Sequence, residues 1–206
     1  RRTKITSTWV DNSGMPDDLS QAHEPVSDFL ANTPPRTGDV LTVDQVEQFS
    51  SEGFLSGIPL LNVDQVDELN AQLRPLMSRD PSPLWHEFHS NESEDPGAVL
   101  FHALGAWRLA PGFHDLLWHP TLIGAAEQLL DGKARFWHDQ LFCKPAGHGA
   151  GVSWHQDYSY WMRTTPMAHL TCWIALDDTT SENGVIQYIP GSHRWSPLPI
   201  TGLAGG

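Results

Sequence analysis

The chain has 206 residues, 39% of them apolar and 18% charged, which suffices for one domain with its own core. Its formal charge of −13 repels phosphate backbones and excludes a nucleic-acid-binding role, and no apolar run reaches the roughly 20 residues that cross a bilayer. Cys143 and Cys172 stand far apart in apolar runs, so they read as two buried thiols of a reducing compartment, with neither a disulfide nor a CxxC zinc site.

In chain order, residues 1–38 are rich in Asp, Ser, Pro and Thr and read as an extended or weakly ordered arm. The opening RRTKITSTWVDNSG has no initiator Met, so it reads as a fragment at this end. It also lacks the apolar core of a secretory signal, which points to the cytoplasm. Thr42-Val43-Asp44-Gln45 has the capping-box form of a helix start, and Asn62-Val63-Asp64-Gln65 repeats that grammar. Behind the second start, Val63, Val66, Leu69, Leu73 and Leu76, with Met77, mark one helical face. GFLSGIPLL between the two helices reads as a short strand. After the acidic loop SNESEDPG, His119-Pro120 opens a further helix that runs to Gly132.

The texture then changes. ARFWHDQLFCK, GVSWHQD, MAHLTCWIALDD and GVIQYIP are short, aromatic and β-branched, and turn residues separate them. Helices followed by closely spaced strands predict an α+β fold, an antiparallel barrel or jelly roll backed by N-terminal helices.

Within GVSWHQD, His155 and Asp157 are two apart, so on a strand they share a face while Gln156 points away. An imidazole and a carboxylate are two of the three protein ligands of non-haem Fe(II) oxygenases. The same pair also fits a barrel-mouth His and Asp bonded to each other or to backbone.

The run WHQDYS followed by CWIALDDTTSENGVIQYIPGSHR closely resembles the phytanoyl-CoA dioxygenase family of Fe(II)/2-oxoglutarate-dependent oxygenases. The likeness is strongest over residues 136–195 and weaker over GFLSGIPLLNVDQVDEL. It implies a double-stranded β-helix (a cupin-like jelly roll) spanning residues 39–206, incomplete at its C-terminal end. It also implies His155 and Asp157 as iron ligands and 2-oxoglutarate as cosubstrate. O₂ would be consumed and succinate and CO₂ released, as a C–H bond of a small metabolite or lipid-like substrate is hydroxylated. Gln140, fifteen residues before His155, and Trp173, eighteen after it, match the positions that contact 2-oxoglutarate.

Two expected parts have no match. The family's third iron ligand is a late histidine, and an arginine beyond it pairs with the distal carboxylate of 2-oxoglutarate. Both are expected past residue 206, which makes the chain a C-terminally truncated oxygenase that alone holds iron poorly. After Asp157 only His169 and His193 remain. His169 reads as structural, and His193 as a loop or rim residue. Tyr158, Tyr160, Trp161 and Met162 read as pocket lining or as packing. The carboxylate of Asp157 favours hydroxylation over halogenation, because related halogenases lack it. The rival readings are a non-catalytic cupin-like binding module and a cupin metalloenzyme that does not use 2-oxoglutarate.

Overall fold

A computed structural model describes residues 18–77, 83–87, 101–144, 147, 152–161 and 165–199. Helix α1 (Val43–Glu52) starts where its capping box predicts: the Thr42 hydroxyl accepts from the Gln45 N–H, and the Gln45 side chain accepts from the Thr42 N–H. Gly53 ends it at φ +85°, a left-handed conformation that glycine adopts without steric cost. Helix α2 (Val63–Met77) starts with the same reciprocal pair, Asn62 and Gln65. Its buried face differs from the predicted one. Leu69 and Leu76 are buried, but Val63 is exposed and Gln65 takes the buried place in the first turn. Gln65 can do so because its amide also donates to the Phe29 carbonyl and the Thr33 hydroxyl.

GFLSGIPLL forms no strand; Gly57 has positive φ and Pro59 has no N–H to give to a ladder. Strands β1 (His86–Glu87), β2 (Phe101–Leu104) and β3 (Leu141–Cys143) form one antiparallel sheet in that order. Between β2 and β3 lie three short helices, α3 (Ala106–Leu109), α4 (Pro111–Leu116) and α5 (Pro120–Leu129). Both α4 and α5 open on proline. Helix α5 has Leu130 as its C-cap, with Asp131 at φ +50°, so it stops short of the predicted Gly132.

The core gathers Leu69 and Leu76 of α2, Trp85, Ala103, Ala106, Ala110 and Phe113. Phe29 joins them, and the segment from Asp18 to Gly38 carries a 3-10 helix (Leu19–Gln21) and hydrogen-bonded turns closed by the Ala31 and Thr33 N–H groups. The Asp115 carboxylate accepts from the Val26 and Ser27 N–H groups and from the Ser27 hydroxyl, and Gln128 holds Val40 and Leu41. Leu69 is fully buried, and Leu69→Ala is expected to cost about 2–5 kcal/mol through lost transfer energy and a residual cavity. A urea midpoint lowered with an unchanged slope is the check.

The mixed helix-and-sheet class is present, but among the described residues the sheet stops at three strands. MAHLTCWIALDD and GVIQYIP carry no strand pairing there, and GVSWHQD has only an isolated bridge at Val152. Their apolar side chains stay uncovered, Trp154, Met167, Trp173, Ile186 and Ile189 among them. Cys172 is exposed and Cys143 only partly buried, which corrects the expectation of two buried thiols; both are free. No helix among the described residues is long and apolar enough to cross a membrane.

Candidate metal centre

His155 and Asp157 meet, though not by strand alternation. Residues 153–156 are irregular and Asp157 opens a 3-10 turn (Asp157–Ser159), in which the Ser159 and Tyr160 N–H groups bond back to the Gln156 and Asp157 carbonyls. This turn brings His155 Nε2 to 3.2 Å from Asp157 Oδ1. The other ring nitrogen, Nδ1, lies 2.7 Å from the Ser153 carbonyl oxygen. A carbonyl only accepts, so Nδ1 carries the hydrogen and Nε2 presents its lone pair to the carboxylate.

Two acceptors 3.2 Å apart repel unless a cation lies at that edge. The bond to Asp157 raises the His155 pKa against the opposing effect of burial, so a proton is favoured at this edge. For Asp157, burial pushes its pKa up, but bonds from His155 and Thr171 outweigh burial and leave it lowered. The Thr171 hydroxyl donates to Oδ2 at 3.1 Å, which fixes the carboxylate with Oδ1 toward the histidine. A neutral imidazole nitrogen and an oriented carboxylate oxygen suit Fe(II), so these residues fit as two protein ligands of such an ion. Among the described residues no group of three His, Cys, Asp or Glu side chains converges on one point.

The other predicted residues fall in different places. Gln140, immediately before β3, hydrogen-bonds His102 of β2, and Trp173 is exposed; among the described residues neither bonds the His155–Asp157 pair. His169 sits among aromatic rings, with centroids 5.6 Å from Tyr158 and 5.8 Å from Trp161. Tyr160 instead stands edge-on to the His155 ring at 5.8 Å and lines a cavity with it. The predicted pocket lining thus divides: Tyr160 faces the cavity, Tyr158 and Trp161 pack, and Met162 lies outside the described residues.

His193 caps a helix. Its Nε2 lies 3.2 Å from the Ser50 carbonyl, the Arg194 guanidinium donates to the same oxygen at 2.7 Å, and the Gly191 N–H donates to the Glu52 carbonyl. PGSHR therefore covers the last carbonyls of α1, which have no partner within the helix. A methyl group at Gly53 would lie 2.2 Å from the His193 ring, so glycine is required at that contact. His193→Ala is expected to leave Fe(II) affinity unchanged while lowering the urea midpoint by the equivalent of about 1 kcal/mol, the usual worth of one hydrogen bond. Loss of iron in that variant would instead make His193 a ligand.

Sequence reasoning missed Thr171 and Asp139. Asp139 is largely buried and accepts from the Gly105 and Trp107 N–H groups, which caps α3 and ties the segment leading into β3 to β2. Thr171 meets Asp157 from 14 residues downstream, and no local pattern marks that contact.

Helices packed on an antiparallel sheet thus stand beside a histidine and a carboxylate that meet at 3.2 Å. The profile of the phytanoyl-CoA dioxygenase (PhyH) family matches residues 49–202, and the chain belongs to that family. It is 30% identical over 160 residues to the ectoine dioxygenase of Bordetella parapertussis, covering 76% of this chain and 51% of the relative. It is 36% identical over 125 residues to the L-proline trans-4-hydroxylase of Streptomyces griseoviridis, covering 56% of this chain and 47% of the relative. The ectoine dioxygenase of Halomonas elongata is 27% identical over 160 residues, covering 75% of this chain and 46% of the relative. The chain spans about half the length of these curated relatives.

Proposed function

We propose that the whole protein is an Fe(II)- and 2-oxoglutarate-dependent dioxygenase that hydroxylates a C–H bond of a small, amino-acid-derived metabolite. The observation that carries this reading is the edge where the His155 lone pair and the Asp157 carboxylate face each other at 3.2 Å. Family membership and relatives named for ectoine and L-proline support it. The cavity beside His155, about 210 Å³, is smaller than the usual drug-sized pocket and suits a small molecule. Exposed apolar side chains on three β-branched and aromatic segments, Trp154, Trp173 and Ile186 among them, support a double-stranded β-helix in the whole protein.

His155 Nε2 and Asp157 Oδ1 would hold the iron, which supplies the oxidising chemistry once 2-oxoglutarate and O₂ are bound. The protein's own contribution is orientation. Ser153 fixes the imidazole tautomer, and Thr171 holds the carboxylate rotation. The Tyr160 ring bounds the histidine on the cavity side. As a carboxylate ligand, Asp157 would favour hydroxyl transfer over halide transfer. Gln140 and Trp173 keep their assignment as cosubstrate contacts. The third histidine and the carboxylate-binding arginine are assigned to the length of the relatives that this chain does not span. Free cysteines and an acidic surface fit a cytoplasmic setting.

A proton on His155 competes with iron for Nε2. Apparent Fe(II) affinity is therefore expected to rise about tenfold per pH unit below the raised His155 pKa and to flatten above it, one proton being released per ion. Anaerobic titrations across about pH 6 to 8 bracket the ordinary imidazole value; a flat profile contradicts the shared edge as the site. Activity is tested by succinate release from 2-oxoglutarate with Fe(II) and ascorbate, ectoine and L-proline being offered separately. Substrate-stimulated succinate supports the reading, and none with either compound opposes it.

A further inference from the structure

Leu198 stands between two prolines, Pro197 and Pro199, so its N–H is the one backbone donor of that tripeptide. Side chains from the HQDYS stretch satisfy both of its backbone groups. Gln156 Oε1 accepts from the Leu198 N–H at 2.8 Å, and the Ser159 hydroxyl donates to the Leu198 carbonyl at 3.2 Å. The Gln156 amide nitrogen reaches the Ser192 carbonyl at 3.4 Å, so one side chain spans both ends of the 192–198 segment. The cavity beside His155, partly open to solvent, is lined by Leu198 and Pro199 together with Trp154, Gln156, Ser159 and Tyr160.

The sequence interleaves two functions here. His155 and Asp157 turn to their shared cation edge, while Gln156 and Ser159 turn to a segment some 40 residues downstream. The polar atoms of Gln156 and Ser159 are already engaged with backbone, so the cavity presents mostly rings and aliphatic carbon around the imidazole. Such a wall receives the hydrocarbon edge of a substrate and leaves recognition of its charged groups to other residues.

We infer that Leu198 is a specificity-determining wall of the substrate pocket and that Gln156 is the positioning residue that holds it against the metal centre. The inference deepens the dioxygenase reading and rests on it for the identity of the occupant, a small metabolite that offers an apolar C–H face. It does not rest on it for the strap itself, which is a statement about backbone held by side chains.

The test uses the whole protein with Gln156→Leu, which keeps the volume and removes the bonds, and Leu198→Ala, which keeps the backbone bonds and removes the wall. Because prolines carry no amide hydrogen, a peptide cut around residues 197–199 reports exchange of the Leu198 amide alone. Gln156→Leu is expected to speed that exchange about tenfold or more, the worth of one protecting hydrogen bond, and Leu198→Ala to leave it slow. With whichever of ectoine and L-proline stimulates succinate release, both variants are expected to raise KM about tenfold with kcat and Fe(II) affinity within about twofold, the signature of lost substrate binding. Unchanged exchange in Gln156→Leu, unchanged KM in Leu198→Ala, or iron affinity that falls in step with KM would overturn the inference. If the wild-type protein releases no succinate with either compound, the dioxygenase reading fails by itself, and the exchange rates still decide whether Gln156 holds Leu198.

Discussion

Asp157→Ala is expected to weaken Fe(II) binding by more than about 100-fold, beyond what loss of an outer-shell partner costs, and to abolish substrate-stimulated succinate release. The carboxylate supplies the negative charge of the pair and holds its histidine partner by the 3.2 Å contact. Without it, Nε2 keeps a lone pair but loses the charge that attracts a divalent ion, and Thr171 loses its acceptor. Thr171→Val separates these contributions. It removes only the hydroxyl that fixes the carboxylate rotation, and its cost should fall in the 10- to 100-fold range that is roughly typical of outer-shell partners. Anaerobic Fe(II) titration followed by intrinsic tryptophan fluorescence measures both. An Asp157→Ala protein that binds iron as tightly as the wild type would remove the carboxylate from the site.

The second large effect concerns stability. Asp115 and His114 are both fully buried, and the Asp115 carboxylate lies 2.9 Å from His114 Nδ1. The same carboxylate accepts from both the N–H and the hydroxyl of Ser27 and from the Val26 N–H, tying residues 26 and 27 to α4. Asp115→Ala leaves the buried His114 ring and the partly buried Val26 and Ser27 donors without their acceptor and is expected to cost about 3–5 kcal/mol, the range for breaking a buried pair by removing one partner. Urea unfolding measures the loss, and faster amide exchange at Val26 and Ser27 locates it. A destabilisation below about 1 kcal/mol, the net value of a single hydrogen bond, would mean that water replaces the carboxylate there.

What the sequence disclosed follows the range of the interaction. The capping boxes at Thr42 and Asn62 were legible because each closes within four residues. The proline starts of α4 and α5 are equally local, although only His119-Pro120 drew notice. The spacing of His155 and Asp157 was legible as chemistry but not as geometry. Alternation on a strand and a 3-10 turn both bring positions two apart together, and the sequence does not distinguish them. Gln65 took a core place that periodicity had given to valine, because its partners are the Phe29 carbonyl and the Thr33 hydroxyl more than thirty residues away. PGSHR stood out as a motif, yet its place on the C-terminal carbonyls of α1 depends on a contact across 143 residues. Thr171, Asp139 and the hold of Gln156 on Leu198 were invisible for the same reason: each is one polar side chain meeting a distant group, and no pattern along the chain records the meeting.

The most direct measurement is an anaerobic Fe(II) titration of the whole protein and its His155→Ala variant, with succinate release followed in the same preparations. One iron per wild-type chain is expected, with succinate release that depends on it, and both are lost in the variant while its urea midpoint stays near the wild-type value. Iron bound with equal affinity by the variant, with turnover preserved, would contradict this expectation.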